Sequence, residues 1–363
     1  VRVVAPAYPP ENLDAVAQED VAVVRGAALT FIDVVRYAKA KTFYPVTRSG
    51  RFMEVKAYLD DDKKQRARPA VDAASRAIAR CSSLAELKRI LADCAAEILH
   101  AAGGEGSLED IVAVLEGEDF AGDPVAELRE SLAAARGERP WTAALAVASA
   151  FRDTYDALIG RASFGGREFL GGRDFDAFTR TMERVAFGPP PESAAEVLAL
   201  IESGRVRTDA MARGGEDLRD VAASVGATAI IDAVLAPPGV VEGTLIGDLV
   251  EAGTGSRYAD TNALHVRRDG TLAGQDHIAA AGRMNEGLIL GHDTLRRSEH
   301  DVVERWADRV SAAALEDPLR VHGLPPLEPV RFEWSDRLLS DPRACEQLLD
   351  TFGSPVNVLN AGP

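Results

Sequence analysis

The sequence predicts an α/β protein carrying a large helical insertion, and three observations lead there. Short apolar runs rich in β-branched residues open the chain and return after residue 214. An Ala-rich stretch between them has helical spacing, and glycines follow the strand-like runs where a ligand-binding sheet places its turns.

In residues 1–59, Arg2-Val3-Val4-Ala5 reads as a strand, punctuated afterwards by Pro6, Pro9 and Pro10. Val21-Ala22-Val23-Val24 reads as a buried strand, followed by Arg25-Gly26 and a helix through Val35. Residues 42–59 predict a hairpin that turns at Arg48-Ser49-Gly50. Residues 60–213 form the helical insertion, read as a second core or a substrate cap. Leu84, Leu87, Ile90, Leu91, Cys94 and Ile98 share one helical face there, and Ser83 with Glu86 matches a capping box. Further helices are predicted over 141–159, with Pro140 at the first turn, over 175–187, and over 194–201 after the Gly188-Pro189-Pro190-Pro191 stop.

Residues 214–315 bring strands back. Ala227 to Ala233 reads as a buried strand, and Arg268-Asp269-Gly270 as a turn between residues 263–266 and 271–272. Ile278-Ala279-Ala280-Ala281-Gly282 reads as a strand ending on glycine. Residues 298–315 read as a helix with Val302, Trp306 and Val310 as its stripe. Residues 316–363 are a Pro-rich linker and a helix–strand tail.

A chain of 363 residues is long enough for two or three packed units. Its 41 basic against 57 acidic residues give a net charge of −16, which disfavours nucleic acid and anionic membranes as partners. No apolar run approaches the roughly 20 residues that span a bilayer. Cys81, Cys94 and Cys345 lack Cys-x-x-Cys spacing, so reduced thiols and a cytoplasmic setting are expected, with Cys81 and Cys94 on helices. The opening Val1-Arg2-Val3-Val4-Ala5 has neither a secretory pattern nor an initiator methionine, which predicts upstream sequence or a processed start.

Two segments suggest dinucleotide chemistry. A strand, a glycine turn and a helix together cradle a pyrophosphate with backbone N–H groups at the helix start. Residues 21–33 have that layout with Gly26 alone of the three fingerprint glycines; Ala28 and Phe31 occupy the later positions. Ala28 permits close approach, Phe31 would crowd close helix–strand packing unless the register differs, and Arg25 is either a phosphate partner or a solvated turn residue. An ordinary strand-to-helix turn is the competing reading. The second segment runs from Ile278 to Gly287. There Gly282 would let backbone approach a cofactor, and Arg283, Asn285 and Glu286 offer hydrogen-bonding groups, unless this is a plain strand-to-loop transition. His292-Asp293 and Ser298-His300-Asp301 read as helix capping rather than as metal or acid–base sites, for no His-x-x-x-His pair accompanies them. No P-loop or nucleophile elbow is present, no metal site is expected, and no catalytic residue is assigned.

Several segments together resemble the FAD/NAD(P)-binding domain proteins, a family of flavin-dependent oxidoreductases. They are Glu19 to Gly26 with Phe31-Ile32-Asp33, Val185 to Pro190, Ile231 to Gly239, Ala281-Gly282-Arg283 with Glu286-Gly287, and His292 to Leu295 into Asp301-Val302. The resemblance implies a Rossmann-like dinucleotide-binding sheet and the cofactors FAD and NAD(P). Arg25, Gly26 and Ala28 would approach the nicotinamide dinucleotide, and Gly282, Arg283, Glu286 and Gly287 would face the flavin. The family's amino-terminal FAD fingerprint is not found here, and residues 39–68 are basic where a glycine-rich loop is expected. Ala344 to Leu359 resembles the lead-in to an alanine-racemase-like PLP-dependent decarboxylase. The expected function is an FAD/NAD(P)-dependent oxidoreductase, or part of one, acting on a small molecule. The alternatives are a cofactor-free scaffolding module, or the accessory part of a bifunctional PLP-dependent decarboxylase with that enzyme domain as partner.

Overall fold

A computed structural model describes residues 1–117, 122–235, 237–292 and 301–316. Its centre is a four-stranded parallel sheet of β1 (Arg2–Val4), β2 (Val21–Arg25), β3 (Thr42–Val46) and β4 (Ala229–Asp232), in the order β1-β4-β2-β3. A parallel strand buried on both faces needs apolar residues at successive positions, and β2 and β4 provide them. Ala22 and Val24 of β2 join Ala229 and Ile231 of β4 in the core on one face, while Val23 and Ile230 enter the core on the other.

Helix α1 (Leu29–Tyr37) links β2 to β3 and buries Phe31, Ile32, Val34 and Val35. The hairpin expected over 42–59 does not form. β3 pairs parallel to β2, and its continuation turns away because its amides find other acceptors. Glu54 N–H donates to Arg184 O at 3.1 Å, and Lys56 N–H to Pro189 O at 2.8 Å.

The helical region then contains α2 (Asp61–Ile78), α3 (Leu84–Ala102), α4 (Leu108–Glu116), α5 (Pro124–Ala135), α6 (Ala143–Asp153), α7 (Tyr155–Ala162), α8 (Gly166–Phe169), α9 (Arg173–Ala186) and α10 (Pro191–Glu202). α3, α6 and α9 share a core of their own, whereas α5 and α10 pack on the sheet through Leu128, Leu132, Ala194 and Val197. Ser83 caps α3 as expected, but Glu86 reaches back to Ser82 N–H instead of closing the box on Ser83. The helix expected over 141–159 is two helices. They break at Thr154, whose hydroxyl donates to Ala150 O at 2.7 Å. Cys94 lies on α3, but Cys81 sits in the turn after α2 and not in a helix; both are buried and unpaired. Burial pushes the Cys94 thiol up to about 12.

After α10 the chain runs through α11 (Leu218–Val225), which covers the second face of the sheet with Val221 and Ala222, and enters β4. Beyond β4, α12 (Leu245–Glu251) and the loops around it collect on a small core of Val240, Leu264, Leu272, Ile289 and Val302. The Asp269-Gly270 turn forms, with one antiparallel bridge between Val266 and Leu272 in place of a strand pair. α13 (Val302–Glu316) buries Val302 but leaves Val310 exposed, so the expected stripe is only partly covered. Cys345 and the PLP-like tail lie outside the described residues. Among the described residues, no helix is long and apolar enough to cross a membrane.

A buried carboxylate locks the amino end of the sheet. Asp20 accepts from Thr228 Oγ1, Arg2 Nη1 and Ala17 N, each at 2.7 Å, and so ties β1 and β4 to the segment entering β2. The Thr228 hydroxyl first, then Ala17 N–H and Arg2, hold the Asp20 carboxyl below its ordinary pKa against the opposing effect of burial. A depressed folded pKa favours the native state above the unfolded value of about 3.9. That contribution drains away as pH falls through the folded value. Asp20→Asn should therefore lower stability at pH 7 by about 1–3 kcal/mol in urea unfolding. It should also flatten the loss of stability below about pH 4. A stability–pH curve matching the parent's would contradict the lock.

Candidate functional site

The carboxyl ends of β2 and β4 lie side by side, with Arg25 opposite Asp232. β2 is followed by Gly26, whose φ of +107° is a conformation that side-chain-bearing residues rarely adopt. The glycine amide donates to Val46 O at 2.9 Å, tying the turn to the end of β3. A Cβ at Gly26 would meet Ala233 O and Val234 Cγ2 at 3.4 Å, ordinary contact, so conformation rather than crowding demands glycine here.

The turn leads directly into α1. Ala28 occupies the N-cap position, where no side chain accepts a hydrogen bond, and the first turn closes with Phe31 N–H on Ala28 O at 3.0 Å. Ala28 and Leu29 are exposed. An uncapped helix start presents unsatisfied N–H groups and the positive end of the helix dipole, the two features that hold a phosphate. Phe31 does not obstruct the packing of the helix. It is buried against Phe52, with ring centroids 6.4 Å apart. The cavity reaching Ala27 and Ala28 is about 10 Å³, room for one water. A diphosphate would therefore lie over the turn rather than inside it.

Arg25 is exposed, as a solvated residue would be, but its guanidinium is engaged rather than free. Its Nε and Nη2 donate to the two oxygens of Asp232 at 2.8 and 2.5 Å, a bidentate pair that engages the fork. Asp232 also accepts from Val234 N–H at 3.1 Å. The pairing changes the expected role of Arg25: it neutralises a carboxylate that would otherwise repel an anion from the turn.

The second predicted group assembles differently. The strand expected over 278–282 is absent. Among the described residues, residues 278–281 pair with the 270–272 segment through a single antiparallel bridge between Thr271 and Ala279. Gly282 does turn at φ +119° and Gly287 at φ +103°, flanking a 3₁₀ turn over Arg283–Asn285. Glu286 and the Gly282 amide bond within the turn itself. Glu286 accepts from Gly291 N–H at 3.2 Å and His292 N–H at 2.9 Å, and Gly282 N–H donates to His292 Nδ1 at 3.4 Å. Asn285 is fully buried, and its Oδ1 has no partner among the described residues. Asp293, Thr294, Ser298 and His300 lie outside the described residues.

Arg25, Gly26 and Ala28 thus form one group, and Gly282, Arg283, Glu286 and Gly287 another. The segment leaving β4 touches both, because Ala233 and Val234 pack under Gly26 and Gly239 N–H donates to Arg283 O at 3.0 Å. Sequence reading missed Asp232 as the partner of Arg25, and Arg167, whose Nη1 donates to Gly287 O at 3.4 Å. Neither has a local signal, since each meets its partner from a distant part of the chain.

Among known proteins, no family model matches the chain and no curated protein does.

Gly26→Ala should cost about 1–3 kcal/mol in urea unfolding, from backbone strain at positive φ. A neutral result would show that the turn relaxes to an ordinary conformation.

Proposed function

We propose that this chain is the nicotinamide-dinucleotide-binding part of an FAD/NAD(P)-dependent oxidoreductase acting on a small molecule. One observation carries the reading: β2 leads through a positive-φ glycine into an uncapped helix at the carboxyl edge of a parallel sheet. The sheet order strengthens it. From β2 the chain moves outward through α1 to β3, while β4 lies on the other side of β2. That reversal supports reading the junction of β2 and β4 as a topological switch point, where open α/β sheets bind ligands.

In this reading the amides of Ala28 and Leu29 hold the diphosphate, and Gly26 lets it approach the backbone. Arg25 cancels the charge of Asp232 at the edge of the site. Bound NAD(P) supplies hydride chemistry and the flavin accepts or returns electrons. Gly282, Arg283, Glu286 and Gly287 form the wall toward the flavin, reached through the segment leaving β4. A cofactor-free scaffolding module is the second reading, favoured by the Gly282–Gly287 segment, where Glu286 and the Gly282 amide are bonded within the turn.

Ala28→Asp separates the two readings because it moves stability and binding in opposite directions. A carboxylate at the N-cap should stabilise α1 by about 1 kcal/mol. The same charge, placed where the diphosphate sits, should weaken NADPH binding by about tenfold or more in calorimetric titration. A parent protein that binds no nicotinamide dinucleotide would leave the scaffolding reading in possession.

A further inference from the structure

The carboxyl end of β3 carries a cation that no described carboxylate neutralises. Gly26 N–H bonds to Val46 O, so Thr47-Arg48-Ser49 begins beside the glycine turn, about 20 residues along the chain from Gly26. Arg48 and Ser49 are exposed. Nearby guanidinium groups are each tied to an acid: Arg51 to Glu127, Arg207 to Asp209 and Arg213 to Glu216. Among the described residues Arg48 has no such partner.

The backbone carrying Arg48 is firmly placed. Thr47 N–H donates to Met211 O at 2.7 Å and Gly214 N–H to Thr47 O at 3.2 Å. Gly214 lies so close that a Cβ on it would fall 2.2 Å from Thr47 C, a distance no side chain tolerates. Thr47 Oγ1 is buried and has no hydrogen-bond partner among the described residues.

In a strand–helix–strand dinucleotide unit the adenosine ribose lies beside the end of the second strand. An acid there binds the 2′-hydroxyl of NAD, and an arginine there accommodates the 2′-phosphate of NADP. Residues 47–51 read Thr-Arg-Ser-Gly-Arg, without an acid. We propose that Arg48, assisted by Ser49, receives the 2′-phosphate and makes this site selective for NADP(H) over NAD(H). The inference rests on the dinucleotide reading above and adds the choice of cofactor and the residue that makes it. A planar guanidinium suits a phosphate monoester through paired, charge-assisted hydrogen bonds.

Calorimetric titration of the full chain with NADPH and with NADH tests it. NADPH should bind about tenfold or more tightly than NADH, the worth of a charge-assisted contact. Arg48→Ala should erase that preference by weakening NADPH, with NADH held within about twofold and the melting temperature unmoved, as befits an exposed side chain. Arg48→Lys should keep part of the preference, because the charge remains and the fork is lost. Equal affinities in the parent, or an equal loss for both cofactors in Arg48→Ala, would overturn the selectivity and leave the dinucleotide site standing. Failure of both cofactors to bind would remove the site and the selectivity together.

Discussion

The insertion of β4 between β1 and β2 is the constraint on which the rest of the molecule depends. β4 reaches the sheet only after the whole helical region, yet it hydrogen-bonds on both sides and leads into the residues under Gly26. Without it β1 has no partner in the sheet and Arg25 has no counter-charge. Loop-closure entropy rises slowly with length, so a long intervening segment can be accommodated if the strand it delivers is well bonded. Polar clamps secure both ends of the strand: Asp20 with Thr228 and Arg2 below, Arg25 with Asp232 above.

The two clamps differ in what they do. Asp20 is buried and satisfied by three donors, so it acts on stability and on its pH dependence. The Arg25–Asp232 pair is half-exposed on its arginine side and contributes little to stability. Its effect is electrostatic. It offsets the Asp232 carboxylate in a chain whose overall charge is −16, which the proposed anion site at the start of α1 requires. The unneutralised Arg48 then adds positive charge at the neighbouring strand end. An acidic protein can in this way keep a local site for a polyanion.

Much of the sheet was legible because doubly buried parallel strands read as continuous β-branched runs: Val21-Ala22-Val23-Val24 and Ala229-Ile230-Ile231 are short, apolar and bounded by turns. The order of the strands was not legible, since it depends on where a distant strand returns. The expected hairpin after β3 failed for a related reason. Arg48-Ser49-Gly50 is good turn sequence, but the amides beyond it bond to Arg184 and Pro189, acceptors more than a hundred residues away. The strand expected before Gly282 failed because its run meets the neighbouring 270–272 segment at a single bridge, too little pairing to make a ladder. Of the site, Gly26 and Ala28 were visible from the strand–glycine–helix pattern. The true partner of Arg25 was not, because Asp232 meets it only across the folded sheet.

In the proposed reading the start of α1 and the adjoining end of β3 together grip a nicotinamide dinucleotide. Hydrogen exchange followed by mass spectrometry, with and without saturating NADPH, addresses it most directly. Slower exchange confined to the amides of residues 27–31 and the 47–50 loop is the predicted result. Unchanged exchange in both segments, or protection confined to other parts of the chain, would contradict it.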